Sequence, residues 1–178
     1  MHIFVKENAI DSSMVELLLN SDAHFEKAEV VVEGKDIVAL SNTRRCREAR
    51  LCVEQYPDVF NHVHALFDEA NHSFNEEYCK DQTTISIMRY TEQDLGHFDW
   101  HVDALSYSNS NYVRRMSMSM LLDNTYEGGQ LYFEDKVFDK PLPGTCIIFP
   151  STYRHKVGMV TRGVRHSLVS WAYGPRNN

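Results

Sequence analysis

The chain has 178 residues, 43% of them hydrophobic, with 25 acidic against 18 basic side chains and a net charge of −7. That length supports one domain with a single sizeable core. The acidic balance is a poor starting point for broad nucleic-acid binding, and no apolar run approaches the roughly 20 residues that span a bilayer.

In chain order, "DSSMVELLLN" reads as a short helix with Asp11 or Ser12 as its N-cap. "AEVVVEG" reads as a strand ended by Gly34. "TRRCREAR" gathers Arg44, Arg45, Arg47 and Arg50, either as a solvated face or as a contact surface for an acidic partner. "PDVFNHVHALFDEANHSF" predicts a helix over about 57–73. Pro57 stands at its start, and Val59, Val63, Leu66, Phe67 and Ala70 fall at helical spacing. His62 and His64, two apart on that helix, point to different faces and cannot chelate one ion.

From residue 83 the period changes to two. "TTISIMRY" puts Ile85 and Ile87 on one face and Ser86, Met88 and Tyr90 on the other. "RRMSMSMLLD", "LYFED", "GTCIIFP", "RHKVGMV" and "VRHSLVSWAY" are further short strands. They are separated by the turn signals "EGG", "PLPG", "PS" and "TRG". Six to eight strands after a helical start predict a β sandwich or barrel with the helices covering one face. The fold class is therefore mainly β with supporting helices (α+β), in one domain over 1–178: a helical support region at 1–82 and a β core at 83–174. No opening segment reads as a secretory leader, so the expected location is cytoplasmic. Cys46, Cys52, Cys79 and Cys146 form no C-x-x-C pair and are expected to be free thiols.

The chemistry is carried by "GHFDWHVDALS", which holds His-x-Asp twice, at His97/Asp99 and His101/Asp103. Alternation puts both members of each pair on one side of a strand, as a metal site requires. All four residues have the same phase, so parity does not choose between the pairs. Downstream stand His155 and, ten residues later, Arg165. If His155 points inward, Val157 and Met159 follow. On the last strand Arg165, Ser167, Val169 and Trp171 share a face. An inward arginine among apolar neighbours needs an anion. That anion is either a ligand carboxylate, bound bidentately, or Asp103 or Glu134 in a buried bridge.

Taken together, "GHFDWHVD", "YEGGQLYF", "PGTCIIFPS" and "HKVGMVTRGVRHSLVSW" resemble the iron(II)/2-oxoglutarate-dependent oxygenases, in their prolyl 4-hydroxylase-like branch, over about residues 83–174. The resemblance implies a double-stranded β-helix, or jelly roll, and selects one pair. The family's metal motif stands some ten residues after a strand-ending tyrosine, here Tyr90, so it implies His101, Asp103 and His155 as iron ligands. By position, Arg165 would bind the distal carboxylate of 2-oxoglutarate. Tyr90 would hydrogen-bond near the metal or cosubstrate, and Leu131, Ile147, Val157 and Trp171 would line the cosubstrate pocket. Where some members carry a second tyrosine this chain has Leu121, with Ser119 and Ser167 as candidate replacements.

The implied activity is hydroxylation of a C–H bond coupled to decarboxylation of 2-oxoglutarate. Molecular oxygen is the oxidant and ascorbate an optional reductant. Asp103 favours hydroxylation, because halogenating members have a small residue there. The expected substrate is a prolyl residue of a peptide or protein, with a free amino acid or small molecule as the alternative. "DALSYSNSNYVRR", residues 103–115, is the candidate peptide-gripping loop. No nucleic-acid or membrane partner is implied. Nucleic-acid demethylases of the superfamily carry an arginine where this chain has Trp171, and a cupin centre would need a strand-borne His-x-His. A non-catalytic jelly-roll module is the reading from another class, and the intact His101, Asp103, His155 and Arg165 set argues against it.

Overall fold

A computed structural model describes residues 2–28, 43–104 and 111–176. Residues 29–34 of the strand expected at 28–34, and the centre of the 103–115 loop, residues 105–110, lie outside the described residues. The described chain opens with β1 (Phe4–Lys6), α1 (Ser12–Leu19), β2 (Glu26–Lys27), β3 (Arg44–Arg45), β4 (Arg47–Arg50) and α2 (Pro57–Phe74). It continues with β5 (Cys79–Thr91), β6 (His97–His101), β7 (Tyr112–Leu121), β8 (Glu127–Gly128), β9 (Leu131–Phe133) and β10 (Val137–Phe138). The last four strands are β11 (Cys146–Pro150), β12 (His155–Val157), β13 (Val160–Arg162) and β14 (Val164–Pro175).

A seven-stranded sheet runs β1-β11-β7-β14-β5-β4-β2, and a five-stranded sheet runs β10-β9-β12-β6-β3. All pairings are antiparallel. Side-chain alternation sorts the large sheet into two cores. Ile85, Ile87, Met116, Met118, Met120 and Leu168 join Val59, Val63, Leu66, Phe67 and Ala70 of α2 in one cluster. Met88, Tyr90 and Leu121 turn the other way and meet Leu131, Phe133 and Val157 of the small sheet. The alternating Met and Ser of β7 are thus a boundary written into the sequence, with methionines toward the helix and serines toward the small sheet.

The helices form for local reasons. Asp11 caps α1 by accepting from the Met14 backbone N–H at 2.9 Å. Pro57 opens α2, and Asn75 ends it in the left-handed conformation. Phe67 of α2 is wholly buried against the sheet. Phe67→Ala should lower unfolding stability by about 3–5 kcal/mol, read from a denaturant titration. A loss under about 1 kcal/mol would mean that α2 contributes little to the core.

His62 and His64 are half-buried at the edge of α2, where the His62 ring meets the Ala9 carbonyl. The four cysteines are free thiols. Among the described residues no helix is long and apolar enough to cross a membrane.

Two expectations change. Met159 does not follow His155 inward and is 47% exposed. Strand β12 ends at Val157, and the chain then turns into β13, which pairs with β8 in a separate two-stranded sheet and so loses the phase. Nor is the Arg44–Arg50 stretch a uniform solvated face. Arg44 turns inward, donating to Cys46 Sγ at 3.2 Å and stacking 4.7 Å from the Phe98 ring.

Candidate metal centre and cosubstrate pocket

The small sheet brings the two imidazoles together by register, with His155 on β12 directly opposite His101 on β6 and their rings 4.2 Å apart. Each ring is oriented by the carbonyl two residues before it. His101 Nδ1 meets the Asp99 carbonyl at 2.7 Å and His155 Nδ1 the Tyr153 carbonyl at 2.9 Å. A carbonyl can only accept, so Nδ1 of each ring carries a proton and Nε2 is the nitrogen left to serve as a ligand. Both Nε2 atoms face Asp103, each 3.6 Å from a different carboxylate oxygen. One ligand atom from each of the three residues lies within 4.8 Å of the others, and no other group of three or more such residues forms among the described residues.

The protonation states suit a metal. Burial, helped by the neighbouring His155, pushes His101 down to about 4, so its ring is neutral at physiological pH. Burial alone would raise Asp103, but His155, His101, Arg114 and the Trp171 N–H outweigh it and hold the carboxylate well below its usual range.

Asp103 lies just past the end of β6, and its position is set from outside that strand. Its backbone N–H and that of Ala104 both donate to the Ser151 carbonyl at 2.9 Å, and the Ser151 hydroxyl bonds Ser117 at 2.8 Å. Trp171 Nε1 donates to Asp103 Oδ2 at 3.0 Å. Trp171, expected to line the cosubstrate pocket, thus bonds the carboxylate and packs against the cluster that holds Leu131, Ile147 and Val157.

His97 and Asp99 are separated from this group by a β-bulge. His155 opposes His101, but Val157 opposes Phe98, so β6 carries one extra residue. The bulge reverses the phase. Phe98 faces inward and stacks on His101 at 3.5 Å, while Asp99 is exposed and His97 Nδ1 meets the Leu95 carbonyl at 2.7 Å.

Across the space between the sheets stands Arg165 of β14, 3% exposed. Its Nη1 donates to Ser167 Oγ at 2.9 Å, its guanidinium lies 5.4 Å from the Tyr90 ring, and its Nε is buried with no hydrogen-bond partner. Among the described residues it makes no ion pair. Asp103 pairs with His101, His155 and Arg114, and Glu134 with Arg154, so the expected alternative of an internal bridge is absent.

The pocket around Arg165 is lined by Leu131 and Ile147, with Ser119, Leu121 and Tyr126. Val157 is buried in the same cluster, paired with Leu131. Tyr90 is fully buried; burial first, and Cys46 beside it, push its phenol up. A buried cation with an unsatisfied N–H among apolar walls suits a carboxylate-bearing ligand.

Two residues here escaped the sequence reading. Tyr126 lies beside the guanidinium, whose charge opposes the rise that burial gives its phenol. Gly129 has a φ of +66°, and a Cβ there would lie 2.9 Å from Arg165 Cδ and 3.0 Å from Tyr126 Cε2. Both belong to "YEGGQL", whose glycine pair was the available signal. Gly129→Ala should cost about 1–3 kcal/mol of stability through backbone strain. A denaturant titration checks this, with Gly128, whose φ is also positive, left intact.

Two imidazoles and one carboxylate brought within 4.8 Å of one another inside a β core are the donor set of the facial-triad centres associated with non-haem iron oxygenases. Residues 85–173 match the family model described as the 2OG-Fe(II) oxygenase superfamily, and the chain belongs to that superfamily. A PKHD-type hydroxylase of Synechococcus sp. (strain CC9311) is 29% identical over 114 residues, which are 61% of this chain and 52% of that relative. The chain spans about half the length, or less, of the curated relatives it matches. In fold it is similar to the viral collagen prolyl hydroxylase from Paramecium Bursaria Chlorella virus-1, solved as a 2OG complex. The TM-score is 0.71 at 15% identity, covering 98% of this chain and 97% of that one. It is also similar to a Trichoplax adhaerens prolyl hydroxylase bound to a hypoxia inducible factor peptide fragment. There the TM-score is 0.70 at 16% identity, covering 96% and 83%.

Proposed function

We propose that this protein is an iron(II)- and 2-oxoglutarate-dependent hydroxylase acting on a prolyl residue of a peptide or protein, with residues 83–174 as a double-stranded β-helix catalytic core. The observation that carries the reading is the presence of two features in one β core: the His101, Asp103 and His155 donor set, and the buried Arg165, whose Nε has no hydrogen-bond partner. Superfamily membership supports the cofactor and cosubstrate. The prolyl substrate is supported by the PKHD-type relative and by the two prolyl hydroxylases of like fold.

Bound at His101, Asp103 and His155, iron(II) would supply the oxygen activation that couples decarboxylation of 2-oxoglutarate to C–H hydroxylation. The chain's own part is positional. Both imidazoles are aimed by their carbonyl partners, and Trp171 and Ser151 fix the carboxylate. Arg165, aligned by Ser167 and flanked by Tyr126, would take the distal carboxylate of 2-oxoglutarate. Leu121, Leu131 and Ile147 would keep water from the cosubstrate and strengthen that ion pair.

Incubating proline-containing peptides with the protein, iron(II), 2-oxoglutarate, oxygen and ascorbate should yield succinate and peptide with the mass of one added oxygen. Succinate without a modified peptide would redirect the search to small-molecule substrates. No 2-oxoglutarate turnover with the metal bound would overturn the reading.

A further inference from the structure

The two imidazoles of the metal centre are packed differently. The side chain of His155 is 7% exposed and that of His101 17%. Besides facing His101, the His155 ring lies among the buried rings of Phe133 and Phe149, at 5.9 Å and 4.7 Å. His101 has instead the half-buried Phe98, stacked at 3.5 Å and within 13° of parallel. The outer torsion of a histidine is broad, and a carbonyl accepts hydrogen bonds over a range of directions. What packs on the ring faces therefore decides how tightly Nε2 is aimed.

Phe98 is in turn held by Arg44. Strand β3 is the two-residue edge of the small sheet, and its Arg44 pairs in register with Phe98 of β6, so the two side chains share a face. The guanidinium lies 4.7 Å from the Phe98 ring, within cation–π reach. It is also tied toward the large sheet. It donates to Cys46 Sγ at 3.2 Å and to Met88 Sδ of β5 at 3.4 Å, and it stands 4.0 Å from Glu48 Oε2 of β4. Arg44 thus spans the gap between the two sheets with its side chain 11% exposed. Burying a cation there is costly, and an apolar side chain would fill the same gap at less cost unless the charge has a use.

We propose that Arg44 is a positioning residue of the metal centre, acting through Phe98, whose ring fixes the plane of His101. Arg44 pins the Phe98 ring, and Phe98 limits the swing of the imidazole. This gives one arginine of "TRRCREAR" a task inside the protein, where the sequence suggested only a surface one. The inference rests on the reading of His101 as an iron ligand and extends that reading to two residues outside the donor set.

The test reads metal affinity and not turnover. The full chain is titrated anaerobically with iron(II) by calorimetry, and the visible absorption of the cobalt(II)-loaded protein reports the donor geometry. Phe98→Leu should weaken iron(II) binding by at least about tenfold, the low end for groups that orient a metal ligand. Phe98→Tyr keeps a flat ring and should stay within about threefold of wild type. Arg44→Met, similar in length but uncharged, should cost about fivefold, the worth of a partly desolvated cation–π contact. Arg45→Met removes the same charge from the same strand, but opposite His97, and should stay within about twofold. The cobalt(II) bands should shift in Phe98→Leu and Arg44→Met and hold in the other two. Thermal unfolding of the metal-free variants exposes a mere strut between the sheets, whose loss would lower stability and leave affinity alone. Unchanged affinity in Phe98→Leu overturns the proposal. So do equal losses in Arg44→Met and Arg45→Met, or a Phe98→Tyr protein as weak as Phe98→Leu. Should Phe98→Leu fail to fold, Arg44→Met against Arg45→Met decides in the same titration. Wild-type protein that binds no iron(II) would sink the hydroxylase reading as well, whereas iron(II) binding indifferent to Phe98 and Arg44 would sink this inference alone.

Discussion

Replacing His101, Asp103 or His155 by Ala is expected to abolish succinate formation and to weaken iron(II) binding by more than about 100-fold. Loss of a group that merely orients a metal ligand typically costs 10–100-fold in metal affinity or activity, and each of these residues would contribute a donor atom itself. His97→Ala and Asp99→Ala are expected to leave iron(II) affinity within about threefold of wild type. Asp99 is exposed, the bulge in β6 puts both residues out of register with His101 and outside the donor group, and Asp99 serves His101 through its backbone carbonyl, which the substitution keeps. Calorimetric titration of iron(II) under anaerobic conditions separates the two pairs. A His97→Ala protein that no longer binds iron while His101→Ala still does would show that the wrong pair had been assigned.

Arg165→Ala should raise the apparent KM for 2-oxoglutarate by roughly 30-fold to several thousand-fold, with iron(II) binding nearly intact. The figure follows from the ~2–5 kcal/mol typical of truncating one partner of a buried, hydrogen-bonded charge pair. Arg165 is buried, has no internal ion pair among the described residues, and stands on the large sheet while the metal donors stand on or beside the small one. Arg165→Lys should recover only part of the loss, because a point charge cannot reproduce the two-pronged fork. Succinate production against 2-oxoglutarate concentration, for wild type and both variants, decides the matter. Unchanged saturation curves would make Arg165 a structural cation and leave the cosubstrate assignment to family membership alone.

Much of this centre was legible before the fold was known. The two-residue spacing of His101 and Asp103, the later His155 and the inward phase of Arg165 can all be read from alternation, because side-chain direction in a regular strand depends only on counting. Trp171 shows the limit of such counting. Alternation gives its face but not its hydrogen bond to Asp103, since the approach of its indole depends on how far β14 and the chain after β6 lie from each other. Tyr126 and Gly129 were missed for a related reason. They flank the two-residue strand β8, which is too short for either period to show, and their approach to Arg165 is made across the chain.

By itself the sequence determined the class of the protein: a β core after a helical start, a donor set of the types that ligate iron, and a buried arginine calling for an anion. Alternation left both His-x-Asp pairs open and the family resemblance pointed to His101 and Asp103, but only the tertiary structure shows why that pair and not the other joins His155, and which way the arginines of β7 turn. The reason is the same in both places. Phase along a strand is a local property that holds until a bulge inserts one residue, and where a bulge falls is set by the partner strand's hydrogen bonds. In β6 the bulge separates His97 and Asp99 from the metal donors, and in β7 it delivers Arg114 to Asp103.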